Sequence, residues 1–272
     1  FGAENPFFDE VMDGLRQKLE ELSIYGCTVI ERRISFDLQS QLQTIDELLK
    51  EEIHGMILSP YNDPAIQEKI DLLWENGIPC ITINTDMPDS KRIAYVGSDY
   101  HKCGQTAAGL LHLFSGDYAS VGIVTGSHNV LCHEERISGF TSHLHTKHPN
   151  IRIVDVVENG DDDYKSYEVV SDLLDRHPDL SALYFTAAGV YGGCRAVLNA
   201  SLQRPLKIIT FDAVLSTCEM IRNGVISATI CQQPDEQGAR SLSLLVDYLL
   251  TGKLPENRCI YMDLSIKIAE NL

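Results

Sequence analysis

A guanidinium, two carboxylates, a few aromatics and several amide or hydroxyl groups recur at one kind of place in this chain, directly after short apolar runs. Asn5, Phe7 and Phe8 stand near the start, and Ser59 ends "GMILS". Asn84-Thr85-Asp86 closes "PCITIN", Arg136 follows "ASVGIVTG" at a distance, and Tyr164 comes after "IRIVDVV". Asp212 ends "LKIITFD" and Gln232 ends "ISATICQ". Aromatic rings stack on the C–H faces of a sugar, while carboxylates, amides and a planar guanidinium pair with its hydroxyls, so the set suits a small polyol or sugar. Other readings stay open for individual residues. Phe7 and Phe8 suit a hydrophobic staple onto a first helix, Asp86 suits a turn cap, and Arg136 suits an exposed helix face. Asp86 and Asp212 also have the residue types of a glycosidase acid–base pair, but their neighbours suit holding hydroxyls better than shifting a pKa. With no G-x-S-x-G elbow, Walker loop, GxGxxG or H-E-x-x-H in the sequence, an enzyme is not expected.

The elements that must position these residues follow a regular pattern. Runs rich in β-branched residues ("CTVIE", "GMILS", "PCITIN", "RIAYVG", "ASVGIVTG", "IRIVDVV", "LSALYFT", "LKIITFD", "ISATICQ") alternate with helix-length segments. Leu42, Ile45, Leu48 and Leu49 mark one apolar helix face, and Leu242, Leu245, Val246 and Leu249 mark another. Asp63-Pro64 reads as a helix start and Asn76-Gly77 as its end. This alternation predicts an α/β fold with parallel sheets covered by helices on both faces. A second round of the pattern begins at "YVGSDYHKCGQTAAGLL", and "QQPDEQG" returns to a long helix. Two similar doubly wound lobes are expected, interwoven by three hinge crossings, with a ligand cleft where strand carboxyl ends meet. The expected lobes are 1–98 with 234–262 and 99–233 with 263–272. "NPFF" then reads as the loop after a first strand that lies upstream of the sequence.

Composition bounds the partners. The chain of 272 residues is 44% hydrophobic and 22% charged, with a formal net charge of −17. Such a surface repels phosphate backbones, and no basic stripe interrupts it, so these residues are not expected to hold DNA themselves. Eight cysteines sit mostly inside apolar runs and form no CxxC pair, which reads as buried free thiols of a reducing cytoplasm. "NGDDD" before Tyr164 lacks the ligand spacing of a calcium loop and reads as a solvated helix start. His143, His145 and His148 do not share one helical face and read as surface residues, so neither a metal nor a cofactor is expected.

"NPFF", "INTD", "RISGF", "TFD" and "ATICQQPDEQG" resemble, in order and over nearly the whole chain, landmarks of the type I periplasmic sugar-binding fold. That fold is shared by ribose- and galactose-type binding proteins and by the effector-binding cores of LacI/GalR regulators. The resemblance implies that Phe7 and Phe8 flank a sugar, with Asn5 as a polar contact. It implies that Asp86 and Asp212 accept from hydroxyls, that Arg136 donates to ring or hydroxyl oxygens, that Tyr164 stands at an often aromatic position, and that Gln232 sits at the last hinge crossing. Departures are visible. Met87 stands where ribose binders carry an arginine, Ala188-Gly189 where they carry Asn-Asp, and Ser59 where an amide is common. Fewer hydrogen-bonding groups imply a less hydroxyl-rich or larger ligand than ribose.

Within the family, the cysteines and the "ENL" ending favour a LacI-type regulator. Its ligand would close the lobes and change operator affinity through an upstream DNA-binding headpiece in a homodimer. The alternative is the sugar-binding component of an ABC transporter.

Overall fold

The computed structural model describes residues 6–35, 37–128 and 130–272. In chain order the elements begin with α1 (Phe7–Glu21), α2 (Leu38–Leu48), β1 (Met56–Leu58), α3 (Pro64–Glu75), β2 (Cys80–Ile83) and β3 (Ala94–Gly97). Next come α4 (Tyr100–Ser115), β4 (Ala119–Thr125), α5 (Leu131–Lys147), β5 (Ile151–Glu158), α6 (Asp163–Arg176) and β6 (Ala182–Phe185). The remainder is α7 (Val190–Asn199), β7 (Lys207–Phe211), α8 (Leu215–Arg222), β8 (Ala228–Cys231), α9 (Pro234–Thr251), β9 (Cys259–Tyr261) and β10 (Ser265–Lys267). The chain forms two compact units, Phe1–Ser98 with Gln233–Asp263 and Asp99–Gln232 with Leu264–Leu272.

The first unit carries a parallel sheet in the order β1-β2-β3-β9, in which Val96 pairs with Ile260. The second carries six strands in the order β10-β8-β7-β6-β4-β5, parallel except for β10 against β8. These are the α/β class and paired parallel sheets that the alternation predicts. β2, β3, β4 and β6 are buried along their whole length, as strands covered on both faces must be. Four helices start on an aspartate whose side chain accepts a backbone N–H. They are Asp37 from Ser40, Asp63 from Ala65, Asp99 from Lys102 and Asp162 from Lys165, at 2.7–3.0 Å. Each such cap contributes about 1 kcal/mol. Asp162 explains "NGDDD", which opens α6 as a solvated helix start.

One expected strand does not form. "CTVIE" takes no regular structure and pairs with no strand among the described residues; Ile34, beyond it, makes an isolated bridge. A strand needs a neighbour about 4.8 Å away. β1, the edge strand of the sheet, is separated from the 27–34 segment by a cavity of about 650 Å³. Apolar side chains of Leu15, Val29, Ile45, Met56 and Leu242 line it. "NPFF" is also not a loop throughout, because Phe7 and Phe8 form the first turn of α1 behind Pro6.

Helix pairs in both units approach through glycines. A Cβ on Gly14 of α1 would lie 1.9 Å from the Asp235 carbonyl of α9, and one on Gly238 of α9 would lie 1.9 Å from that of Val11. α4 and α5 repeat the device. A Cβ on Gly104 would meet the Arg136 carbonyl at 2.1 Å, and one on Gly139 the His101 carbonyl at 1.9 Å. Only hydrogen fits there, and the contact fixes α5 one turn from Arg136. Gly139→Ala forces backbone against backbone and is expected to destabilise the chain by about 1–3 kcal/mol, read from urea unfolding.

Candidate functional site

In the second unit, β7 ends in Asp212, which adopts a left-handed φ of 64° while its N–H donates to Ile230 O at 2.9 Å. Aspartate tolerates this region better than a branched residue does. Its carbonyl accepts from Thr229 Oγ1 at 2.9 Å, and its carboxylate accepts from Gln232 Nε2 at 2.8 Å. Gln232 is itself buried. Arg136, projecting from α5, is 4% exposed, and its guanidinium lies 3.8 Å over the Phe211 ring and 4.8 Å over that of Tyr100. Nη1 donates to Thr186 O at 2.5 Å, whereas Nε has no acceptor among the described residues. A buried donor without a partner costs roughly 1–3 kcal/mol or more, so the fold holds an unfilled demand for an oxygen here. Enclosure pushes the Asp212 carboxyl above its ordinary range, against the pull of Arg136 and of the Gln232 amide.

The first unit closes a strand in the same way. β2 ends in Asn84, with φ of 64° and its N–H on Val96 O at 3.1 Å. Tyr95 Oη donates to the Asn84 carbonyl at 2.8 Å and has Ser98 O at 3.0 Å. Thr85 Oγ1 and Ser98 Oγ, beyond β2 and β3, are buried with no hydrogen-bond partner among the described residues. Two strands therefore end in an Asx residue at one backbone conformation, Ile81-Thr82-Ile83-Asn84 and Ile209-Thr210-Phe211-Asp212. That repeat is legible in the sequence as "ITIN" and "ITFD", and it sets Asn84 apart within the Asn84-Thr85-Asp86 candidates.

Arg136, Asp212 and Gln232 thus stand together at the strand carboxyl ends of the second unit. Each of the other candidates has its own surroundings. Asp86 is committed to Arg92, whose Nη2 donates to Oδ2 at 2.6 Å and whose Nε donates to Oδ1 at 2.5 Å. Thr82 Oγ1 and the Met87 N–H also donate to Oδ1, both at 2.7 Å. The carboxylate therefore anchors the 84–92 loop, and Arg92 reaches on to Arg258 O at 3.0 Å. Met87 packs with Ile66, Ile70 and Leu73 in the core. Phe7 and Phe8 are buried with Val11 and Ile83, their rings edge to face at 5.4 Å, as a core staple would be. Tyr164 is 87% exposed in the first turn of α6. Ser59 is buried and its carbonyl accepts from Gln41 Nε2 at 2.9 Å. The Ala188 N–H donates to Asp161 Oδ1 at 2.9 Å, and its carbonyl accepts from Asn159. Asn5 lies outside the described residues.

The sequence matches the periplasmic binding protein domain over residues 2–254. The chain belongs to that family. It is 24% identical over 259 residues to the D-allose-binding periplasmic protein of Escherichia coli, covering 92% of this chain and 83% of that one. A ribose import binding protein of Bacillus subtilis is 26% identical over 249 residues, covering 92% and 79%. A glucose-galactose binding protein from Geobacillus stearothermophilus superimposes with a TM-score of 0.91 at 25% identity, covering 100% and 95%. The fold is the type I periplasmic binding arrangement. These relatives are binding proteins, and this family member is not an enzyme. They also overturn the expected regulator. A putative LacI regulator from Bacteroides fragilis shares the fold with a TM-score of 0.88, but at 23% identity it carries no more than fold. The sugar import and periplasmic relatives support the transporter alternative, and the operator-DNA partner goes with the regulator.

The cysteines give no counterweight. All eight are free thiols, and Cys80, Cys103, Cys132, Cys194 and Cys218 are buried. Burial pushes Cys80, Cys132 and Cys194 up to about 12 and Cys103 to about 11. Thiols held so far from the thiolate are inert in oxidising and reducing compartments alike, so cysteine usage does not distinguish them. Ellman's reagent on the native chain is expected to modify Cys259 first and Cys27 and Cys231 slowly, with the other five reacting only after unfolding. The Asp86–Arg92 pair is testable separately. Arg92→Met leaves Asp86 in the interior without its cation and is expected to cost about 3–5 kcal/mol in urea unfolding. Asp86→Leu in the same chain should recover part of that loss.

Proposed function

We propose that the chain is the sugar-binding component of an ABC-type importer, taking a small neutral sugar of pentose or hexose size. The observation that carries the reading is the buried Arg136 guanidinium, with Nε unsatisfied beside the Asp212–Gln232 pair. Nε donates to a sugar oxygen, Asp212 accepts from hydroxyls with Gln232 holding it in place, and the phenyl and phenol faces around Arg136 keep water from competing. Within the first unit, Thr85 Oγ1 and Ser98 Oγ are likewise buried without partners among the described residues, beyond the ends of β2 and β3. The names of the relatives, D-allose-binding and ribose import binding proteins, support this class of ligand.

Calorimetric titration of the chain with D-ribose, D-allose, D-xylose, D-glucose and D-galactose tests the reading. One sugar is expected to bind one to one in the micromolar range or tighter, and no heat from any small sugar would overturn it. Asp212→Asn, which keeps shape and removes charge, is expected to weaken that sugar about 10- to 100-fold, the worth of a hydrogen bond to a charged group.

The same titration has a pH dependence of fixed sign. The Asp212 carboxyl lies above the ordinary 3.8 in the folded chain. Ionisation therefore costs the unliganded fold stability as pH rises through that raised value. Hydroxyls donate to the ionised form and pull its pKa back down. Affinity should then fall as pH drops through the raised pKa, in a range above the ordinary carboxylate titration, and the fall should vanish in Asp212→Asn.

A further inference from the structure

At the opposite end of the second unit's sheet, where α4 and α5 run out into the turns that lead to β4 and β5, three histidines and an aspartate collect. His112 lies in the last turn of α4, Asp117 in the following turn, and His148 caps the end of α5. The His112 and His148 rings stack with centroids 3.8 Å apart and planes 18° from parallel. The His143 ring, one turn back on α5, lies 5.6 Å from that of His148. His112 Nδ1 is 3.2 Å from the Gly116 carbonyl and 3.6 Å from Asp117 Oδ1. One ligand atom from each of His112, Asp117 and His148 falls within 4.8 Å of the other two. No single helical face could have shown this, because the cluster draws on two helices and a turn. His145, the remaining histidine of "HLHTKH", is exposed and outside it.

From this juxtaposition we propose that His112, Asp117 and His148 form a binding site for a borderline divalent cation of the zinc class. Imidazole nitrogen with one carboxylate oxygen is a donor set that suits zinc, nickel or copper and not magnesium or calcium. Zinc holds nitrogen and oxygen ligands at about 2.0–2.2 Å, which places neighbouring ligand atoms of a tetrahedron about 3.4 Å apart. The cluster needs to close by little more than 1 Å, and rotation of the partly exposed rings out of their stack with the exposed Asp117 supplies it. A net charge of −17 raises the local concentration of any cation. Three protein ligands in a solvent-facing notch leave a position for water, which makes this an exchangeable site that staples the α4 and α5 ends. His112 lies twelve residues along α4 from Tyr100, about 18 Å of helix, so the site is distinct from the Arg136 cluster.

The test is equilibrium dialysis of the untagged full chain against zinc, with cobalt as a spectroscopic stand-in. One zinc per chain is expected, with cobalt giving the intense visible bands of a four-coordinate site. His112→Ala and His148→Ala should each weaken zinc by about 100-fold or more, beyond the 10- to 100-fold typical of losing a mere supporting group. His145→Ala and Cys259→Ser should leave it unchanged. Sugar titration of each variant checks that it is folded, since none of these residues stands at the strand carboxyl ends. Zinc held equally by His112→Ala and His148→Ala, zinc lost in Cys259→Ser, or no zinc bound to the parent at micromolar concentrations would each overturn the proposal.

Discussion

Arg136 carries a full charge into a place almost without water, and the carboxyl end of the second unit is arranged around that fact. Two aromatic faces, a peptide carbonyl and a neighbouring carboxylate each offset part of the lost hydration. None of them satisfies every N–H of the guanidinium, and Nε is left as an unmet demand for an oxygen. The position of the charge is in turn set by a backbone contact. α5 can lie against α4 closely enough to deliver the side chain over Phe211 only because positions 104 and 139 have no Cβ. A buried guanidinium and two glycines on neighbouring helices are parts of one device.

The two units solve a common problem with different polar groups. Each must end a buried parallel strand and turn the chain while its last N–H stays on the neighbouring strand. Each does so with an Asx residue in the left-handed region. In one the residue is a carboxylate held by an amide, and in the other it is an amide residue whose carbonyl is held by a buried phenol. The charged version sits beside the guanidinium, where a carboxylate is electrostatically favoured. The neutral version sits in a unit whose nearby cation, Arg92, is already neutralised by Asp86.

Much of the fold was legible because alternation of β-branched runs with amphipathic segments is a local signal. Capping aspartates at 63 and 162 are local too. "CTVIE" misled because strand formation requires a partner and propensity does not supply one. The site was legible in part. Arg136, Asp212 and Gln232 follow buried strands or precede a close-packing glycine, and such positions are fixed by topology. Asp86 has the same address, yet a salt partner six residues away claims it, and no spacing rule distinguishes a carboxylate facing a ligand from one facing an arginine. Tyr164 reads as a pocket aromatic from its place in the order of elements, but the first turn of α6 turns it to solvent. Asn84 stands among the strand-end residues of the sequence, and the parallel between "ITIN" and "ITFD" shows why its backbone is special.

The sheet order carries a consequence for how the chain is made. β3 pairs with β9, so Val96 waits for Ile260, more than half the chain later. The first unit cannot finish its sheet until nearly all of the protein has been synthesised. The second unit needs little beyond its own continuous run from 99 to 232, lacking only the edge strand β10. Folding during synthesis is therefore ordered against the sequence, with the later unit consolidating while the earlier one still exposes apolar strand edges to whatever else is present.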